Sequence, residues 1–391
     1  MMTTRLRFRQ TPILMVFLVP VFLALPLRAS DLPPAAQKAL YEAGQAMEKG
    51  DHATAEEILT LFRQNQADVP HHLVEFALGN ALAMQGRPKD ALPHYRRCTE
   101  LEPGYAPAWQ NLGKTALDLG DHLQAGQGLA RTYELGGGTD HDLLFNSCLA
   151  FVLAGSPQEA LSGLERLTSG AVGKPKIQWM EILLKVHLDL GQEKKAIITL
   201  ERMLADDGDN ADLWKLLAQI RIRQNEYRKS LAAWEIYAGL GRPSPEELVL
   251  MGDLYMALGV PAKAAHNFAQ ALEHKQCPRL REKLVEAHLA SRDPAKAASS
   301  ARLFIDLTPT SRLWLTLGRA LFEQGEYDEA LLAFEQSGRL DPKDGKAHIM
   351  RGHCALRLKN REAAMAALEQ ARRFPAQRDQ AVALLRIAAT L

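Results

Sequence analysis

Aromatic residues are scarce in this sequence, at 6% of its 391 residues, and neither sign of charge is in excess. Its 47 lysines and arginines are matched by 46 aspartates and glutamates, which leaves a formal net charge of +1. This balance, with 47% apolar residues, is typical of a folded globular chain. It excludes long disordered, collagen-like and polytopic membrane sequences.

Cysteine is scarce as well. The four cysteines, Cys98, Cys148, Cys277 and Cys354, fall in or between distant copies of the repeat described below. Their Cα atoms are therefore expected to lie further apart than the roughly 7 Å that a disulfide allows. We expect free thiols, with Cys148 as a buried filler.

Signatures of common catalytic sites are missing. The sequence contains no GxxxxGK(S/T) phosphate loop, no HExxH zinc helix and no GxSxG nucleophile elbow. Gly126 and Gly128 lack the third glycine of a nucleotide-binding loop. His71 and His72 could in principle contact a metal together with His94, but histidines at the start of a helix are mostly surface residues, and the other histidines lack ligand spacing. The sequence predicts a protein that is not an enzyme and holds neither a metal nor a cofactor.

The first 29 residues have the composition of a secretory signal peptide. Arg5, Arg7 and Arg9 precede an apolar run over residues 13–25, and Ala29 offers a small residue at a cleavage position. The run is shorter than the roughly 20 residues that span a bilayer, so cleavage is favoured over retention as an anchor. We expect export to the periplasm of a Gram-negative type envelope. The mature chain would have a net charge of −3, which argues against nucleic acid as a partner.

The rest of the chain repeats about every 34 residues. The clearest copy contains Trp314, Leu317, Gly318, Leu321, Gly325, Tyr327, Ala330, Phe334 and Pro342. This pattern resembles the tetratricopeptide repeat, or TPR. The resemblance implies an all-α fold, a right-handed superhelical solenoid of about ten helix pairs over residues 30–391, with a capping helix at about 379–391. The repeats start near residues 36, 72, 106, 141, 177, 211, 245, 278, 311 and 345.

Four positions of the repeat indicate how the helices pack. The residue near the start of the second helix is alanine in nine of ten copies: Ala55, Ala91, Ala125, Ala160, Ala196, Ser230, Ala264, Ala297, Ala330 and Ala364. A first-helix position is small in eight of ten: Ala43, Gly79, Gly113, Cys148, Leu184, Ala218, Gly252, Val285, Gly318 and Gly352. A third position is mostly large and apolar: Leu59, Tyr95, Leu129, Leu164, Leu200, Trp234, Phe268, Ala301, Phe334 and Leu368. The inter-helix turn carries Gly50, Gly86, Gly120, Gly155, Gly191, Asn225, Gly259, Arg292, Gly325 and Lys359, mostly residues that tolerate a left-handed conformation.

Partner binding is expected on the concave face, to which first-helix positions 2, 5, 9, 12 and 13 of a TPR array tend to point. In repeats two and four this face is mainly apolar, which suits an apolar or amphipathic partner segment, although many of these side chains would also pack against neighbouring helices. In repeats six and nine it is mixed and charged. The candidate groove residues are Leu73, Phe76, Asn80, Met84, Phe145, Leu149, Leu153, Lys215, Gln219, Arg223, Arg312, Arg319 and Phe322.

Charge is distributed unevenly along the chain. Residues 345–391 hold nine lysines and arginines against three acidic residues, a net charge of +6, whereas the rest of the mature chain is at −9. Such a difference would orient an acidic partner or an anionic membrane surface towards the C-terminal end. Solvated helix faces also account for charges of this kind.

The TPR proteins that bind the acidic tails of chaperones use a clamp of lysine and asparagine side chains. Asn80 and Asn111 match two clamp positions, but Phe76 and Asp142 stand where lysines are needed. That activity is therefore not expected here.

Three stretches resemble exported TPR proteins of TonB energy-transduction systems: residues 212–218, residues 258–265, and residues 351–355 followed by 364–374. The resemblance covers residues 36–375. It implies a periplasmic adaptor that works with TonB, ExbB or ExbD in outer-membrane transport, and it assigns a role to no single residue. A scaffold of the same architecture for exopolysaccharide secretion or outer-membrane assembly remains the alternative.

Overall fold

A computed structural model describes residues 32–65 and 71–391. The predicted signal peptide, residues 1–29, lies outside the described residues. The chain divides into two compact units, one ending at Asp206 and the other running from Asp207 to Leu391. Each unit is described by itself.

The unit that ends at Asp206 contains, in its described residues, five pairs of helices. Their bounds are α1 (Pro34–Glu48) and α2 (His52–Asn65), α3 (His72–Met84) and α4 (Pro88–Leu101), α5 (Ala106–Asp118) and α6 (His122–Leu135), α7 (His141–Leu153) and α8 (Pro157–Thr168), and α9 (Ile177–Asp189) and α10 (Glu193–Asp206). We call this unit 1.

The unit that starts at Asp207 contains five further pairs and one more helix. Their bounds are α11 (Ala211–Arg223) and α12 (Tyr227–Leu240), α13 (Pro245–Ala257) and α14 (Pro261–His274), α15 (Pro278–Ala290) and α16 (Pro294–Leu307), α17 (Ser311–Gln324) and α18 (Tyr327–Leu340), α19 (Gly345–Arg357) and α20 (Arg361–Arg372), and α21 (Arg378–Ala389). We call this unit 2. Every regular element in the described residues of both units is an α-helix, so the predicted all-α fold of paired helices is confirmed.

Local sequence accounts for where the helices begin. Proline lies in the first turn of many of them, where its missing N–H removes no intrahelical hydrogen bond. Others start after a side chain that accepts a hydrogen bond from a free backbone N–H, as Asp140 does from Leu143 at 2.9 Å. At α13, Ser244 and Glu247 form a complete capping box.

The alanine position is the tightest point of each pair. All ten residues at this position are 0% exposed, including Ser230. The Ser230 hydroxyl donates a hydrogen bond of 2.8 Å to the carbonyl of Ala218, so the polar substitution leaves no unpaired group. These side chains let the second helix lie against the first.

The small first-helix position faces the large apolar side chain of the second helix in the same pair. A Cβ added to Gly318 would lie 2.6 Å from the ring of Phe334, and one added to Gly79 would lie 2.7 Å from the ring of Tyr95. Both distances are well below van der Waals contact. Glycine at this position therefore makes room for an aromatic ring between the helices.

The turn position adopts a left-handed conformation in all ten pairs. Glycine occupies seven of these positions, and the three other residues, Asn225, Arg292 and Lys359, have φ angles of 60°, 60° and 55°. A side chain in this region costs free energy, which explains the preference for glycine. Among the described residues, no helix has the length and apolar content needed to cross a bilayer.

Candidate partner-binding site

Successive first helices of unit 2 are joined by ion pairs on their shared face. Lys215 Nζ lies 2.5 Å from Glu247 Oε1, which connects α11 to α13. Lys283 Nζ lies 2.6 Å from Asp253 Oδ2, and Arg319 Nη1 lies 3.0 Å from Glu286 Oε1. We call these three pairs the ion-pair ladder. The second pair connects α13 to α15, and the third connects α15 to α17.

The first ion pair of the ladder shifts the pKa values of Lys215 and Glu247. The hydrogen bond to Glu247 raises the pKa of Lys215. Burial acts to raise the pKa of Glu247, but the hydrogen bonds from Lys215 and from the Ser244 backbone lower it overall. The Tyr237 hydroxyl donates a further hydrogen bond of 3.1 Å to this carboxylate. Glu247 is thus held ionised by three neighbours.

Two predicted groove residues, Lys215 and Arg319, are members of this ladder. Both side chains are already paired with an acidic residue of a neighbouring repeat, so they are less available for an ion pair with a partner. Gln219 and Phe322 are half-buried, and the Phe322 ring contacts Tyr327 at 5.2 Å between centroids. Arg223 and Arg312 are exposed, at the end of α11 and the start of α17.

The first-helix face of unit 1 has a different character. Three of its predicted groove residues are almost fully buried: Leu73 at 9%, Phe76 at 8% and Phe145 at 8% exposed. The Phe76 ring packs edge-on against Tyr105, with centroids 5.2 Å apart. Little of these side chains is available to a partner.

Met84 and Leu153 remain open on this face, at 46% and 49% exposed, and Leu149 is half-buried. Asn80, four residues before Met84 and on the same side of α3, accepts hydrogen bonds of 2.8 Å from both Tyr95 and Asn111. These bonds leave the NH₂ group of Asn80 available as a donor. The structure thus joins predicted residues of α3 to Asn111 of α5.

Lys114 lies on the same side of α5 as Asn111, three residues further on. It is half-buried, and burial lowers its pKa against the opposing effect of Asp118. No ion-pair or hydrogen-bond partner of its ammonium group is found in the described part of the chain. Lys114 was not among the predicted groove residues, although it occupies repeat position 9, like Asn80. Applying that position to repeat three would have found it.

A pocket of 610 Å³ lies between α12, α13 and α14 of unit 2 and was not predicted. The Tyr255 hydroxyl and Lys263 both donate to the Glu235 carboxylate, Lys263 at 2.7 Å. The hydrogen bond from Lys263 is the main cause of a lowered pKa at Glu235, and burial raises the pKa of Tyr255 to about 12. The lining is Glu235, Ala238, Gly241, Arg242, Pro243, Leu248, Met251, Tyr255, Lys263, His266, Asn267, Gln270, Glu273 and His274.

The histidines considered as metal ligands do not converge. His71 stacks on His72 at 4.6 Å, whereas His94 Nδ1 lies 2.7 Å from the buried Glu75 carboxylate. Within the described residues, no three histidine, cysteine, aspartate or glutamate side chains are placed to hold a metal ion. All four cysteines are free.

Three stretches of the chain match models of the tetratricopeptide repeat: residues 73–115, 249–312 and 311–387. No curated protein matches the chain. Solved structures similar to it include YrrB, described as a TPR protein with an unusual peptide-binding site. YrrB has a TM-score of 0.39 and 20% identity over 49% of this chain and 98% of its own.

MamA from Desulfovibrio magneticus RS-1 has a TM-score of 0.38 and 19% identity, over 43% of this chain and 97% of its own. Yeast Tom70 has a TM-score of 0.36 and 12% identity, over 90% and 95%. The three matched stretches are therefore tetratricopeptide repeats, and the helix pairs outside them share their buried alanine positions and left-handed turns.

Proposed function

We propose that this protein is a non-enzymatic periplasmic scaffold that binds partner proteins, and that its partners belong to a TonB, ExbB and ExbD energy-transduction complex of outer-membrane transport. Tetratricopeptide repeats are interaction scaffolds, which supports the general part of the proposal. Its location is supported by the basic and apolar pattern of residues 1–29, and its partner by the three resembling stretches in the sequence.

One observation carries the choice of binding face. On the first-helix face of unit 1, the exposed side chains of Met84 and Leu153 accompany an unpaired, half-buried Lys114. Apolar anchors beside a few unpaired polar groups are what a peptide segment needs for affinity and orientation. We therefore assign the partner segment to this face.

The partner segment is an amphipathic stretch. Its apolar side chains cover Met84 and Leu153, and an oxygen acceptor reaches the ammonium group of Lys114. Such an acceptor forms a charge-assisted hydrogen bond that replaces part of the hydration lost by the half-buried ammonium group. The first-helix face of unit 2 is less suited, because the ion-pair ladder already satisfies Lys215 and Arg319.

In-cell photo-crosslinking tests the partner. A photoreactive amino acid is placed at Met84 or at Leu153 in the full chain, and the attached proteins are identified by mass spectrometry. The controls carry it at Leu61 or at Ile198, which are 51% and 58% exposed on the second helices α2 and α10 of the same unit. Recovery of TonB, ExbB or ExbD from the first pair only is the expected result.

Other outcomes would change specific parts of the proposal. Polysaccharide-export or outer-membrane assembly proteins at Met84 and Leu153 would replace the TonB assignment by the alternative scaffold function. Equal crosslinking from the control positions would contradict the chosen face. Location is tested separately, by cell fractionation and by sequencing the N-terminus of the purified protein. A cytoplasmic protein that keeps residues 1–29 would refute export.

A further inference from the structure

The last three helices of unit 2 carry a surplus of unpaired positive charge. Residues 345–391 contain nine lysines and arginines but only Glu362, Glu369 and Asp379 as acids. A single ion pair forms among the side chains of this segment, between Arg372 Nη2 and Glu369 Oε2 at 2.8 Å. The contrast with the ion-pair ladder of the same unit is clear, since there each cation has an acidic partner.

Three of the unpaired cations surround the turn between α19 and α20. Arg357, Lys359 and Arg361 are all exposed, and Lys359 is the left-handed residue of the turn. We call them the turn cluster. They project from the tip of a helix pair, where neighbouring helices do not shield them.

Three more surround the connection between α20 and α21: Lys346, Arg373 and Arg378, again all exposed. Lys346 belongs here because the start of α19 abuts this connection. A Cβ added to Gly345 would lie 2.6 Å from Cγ of Phe374. We call this set the connection cluster.

The two clusters lie at opposite ends of the same helices. α20 has 12 residues, and a rise of 1.5 Å per residue separates its ends by about 18 Å. A single phosphate or carboxylate cannot contact both clusters. An extended anionic surface can contact both at once.

An exposed apolar residue accompanies the cations on α21. Ile387 is 54% exposed and follows the exposed Arg386 directly in the last turn of the helix. Charged side chains beside an exposed aliphatic one are the combination found on proteins that lie at a lipid surface. Seven of the nine cations are arginine, whose planar guanidinium pairs with phosphate through two parallel hydrogen bonds.

We propose that α19–α21 dock the protein on an anionic lipid bilayer, with the turn and connection clusters bound to phospholipid head groups and Ile387 at the interface. The spread of the six cations favours a bilayer over an acidic protein segment, which would need them aligned along one path. This docking uses helices of unit 2 alone, and it does not depend on the identity of the protein partner.

Vesicle co-sedimentation of the full chain tests the proposal. Vesicles of phosphatidylcholine alone are compared with vesicles that contain one-third phosphatidylglycerol, at low and at high salt. Three variants are compared with the wild type. One replaces the turn cluster by glutamine, and one replaces the connection cluster by glutamine. The matched control replaces Lys229, Lys275 and Lys296 by glutamine, which removes three exposed but ion-paired cations of the same unit.

We expect binding to the anionic vesicles that is lost at high salt. Each cluster variant should bind on the order of a hundredfold more weakly, because each cation near an anionic surface contributes about a fivefold factor. The control should bind like the wild type. Residues 1–31 are the same in all four proteins, so any binding that they cause does not alter the comparison.

Two results would overturn the proposal. The first is equal binding of the wild type and the cluster variants to anionic vesicles. The second is no binding to vesicles combined with cluster-dependent binding to an oligo-aspartate peptide, which would assign the surface to an acidic protein. Circular dichroism of each variant checks its fold, and because the replaced cluster side chains are exposed and unpaired, the spectra should not change.

Discussion

The close approach of α5 and α6 in unit 1 predicts a large penalty for one added methyl group. A Cβ at Gly128 would lie 2.7 Å from both Cα and N of Gly113 and 2.9 Å from the carbonyl oxygen of Trp109. All three contacts are with backbone, which cannot rotate away as a side chain can. The two helices would therefore have to separate by about 1 Å to reach ordinary contact distances.

The expected cost of Gly128→Ala follows from two opposing effects. Overpacking of a tight contact costs about 1–3 kcal/mol, whereas alanine is favoured over glycine inside a helix by about 0.8–1 kcal/mol. Because all three contacts are with backbone, the overpacking cost should lie in the upper half of its range, and we expect a net loss of about 1–2 kcal/mol in the free energy of unfolding. Gly44 in α1 is the matched control, because a Cβ there would have no neighbour within 4 Å. Gly44→Ala should stabilise the unit by about 0.5–1 kcal/mol.

Urea unfolding, followed by circular dichroism and by tryptophan fluorescence, measures both variants. Trp109, one of the five tryptophans, lies on α5, where its indole donates a hydrogen bond of 3.0 Å to the Pro103 carbonyl. Equal stabilities of Gly128→Ala and Gly44→Ala would refute the close approach of α5 and α6.

Three other predictions concern unit 2. Gly318→Ala should lower its free energy of unfolding by about 1 kcal/mol, because the new methyl group meets the fully buried ring of Phe334; an unchanged urea midpoint would contradict the packing. Arg292→Gly should raise the free energy of unfolding by about 0.5–1 kcal/mol, and with it the urea midpoint, since Arg292 is left-handed with φ of 60°; a lower midpoint would count against this. The pKa of Glu247 is lowered from its ordinary value of 4.5, which means that the ionised carboxylate stabilises the folded state. This contribution to the free energy of unfolding is fully present above pH 4.5 and should be lost as the pH falls through the lowered pKa. Glu247→Gln should show less of this acid dependence in urea unfolding above and below pH 4.5, and an identical dependence in both proteins would exclude Glu247 as a cause.

The repeat pattern was sufficient to predict how each helix pair packs. Alanine at the start of the second helix is dictated by contacts within one repeat, and glycine at the turn by the left-handed backbone conformation there. Both causes are local in sequence. The first helices accordingly begin at residues 72, 106, 141, 177, 211, 245, 278, 311 and 345. Even the deviating members fit, since Ser230 is buried with its hydroxyl bonded to Ala218.

The surface that such pairs present could be predicted only in part. The repeat pattern predicts position 5 as a groove position, yet Phe76 and Phe145, which occupy it, are almost fully buried. Large rings at this position pack towards neighbouring helices, whereas Met84 and Leu153, at the ends of their helices, remain open. The degree of burial depends on how neighbouring helices are placed, which the period of the pattern does not specify.

The sequence also does not predict which charged residues of successive repeats form ion pairs. Lys215 and Glu247 are separated by 32 positions in the sequence, and their contact depends on the angle at which α13 lies against α11. The pocket beside Glu235 has the same origin, because it forms between helices of two successive repeats. A repeat consensus describes a single repeat and contains no information on such angles.

The ion-pair ladder makes the repeats of unit 2 differ in the charged residues that they present to their neighbours. Lys215 meets an acid on α13, whereas Asp253 and Glu286 each meet a base on the following first helix. Removal of α13 and α14 together would bring Leu280 to the repeat position of Glu247 and leave Lys215 opposite an apolar side chain. Repeats of nearly equal length and similar backbone are therefore not exchangeable, and their order along the chain is itself encoded in the charges.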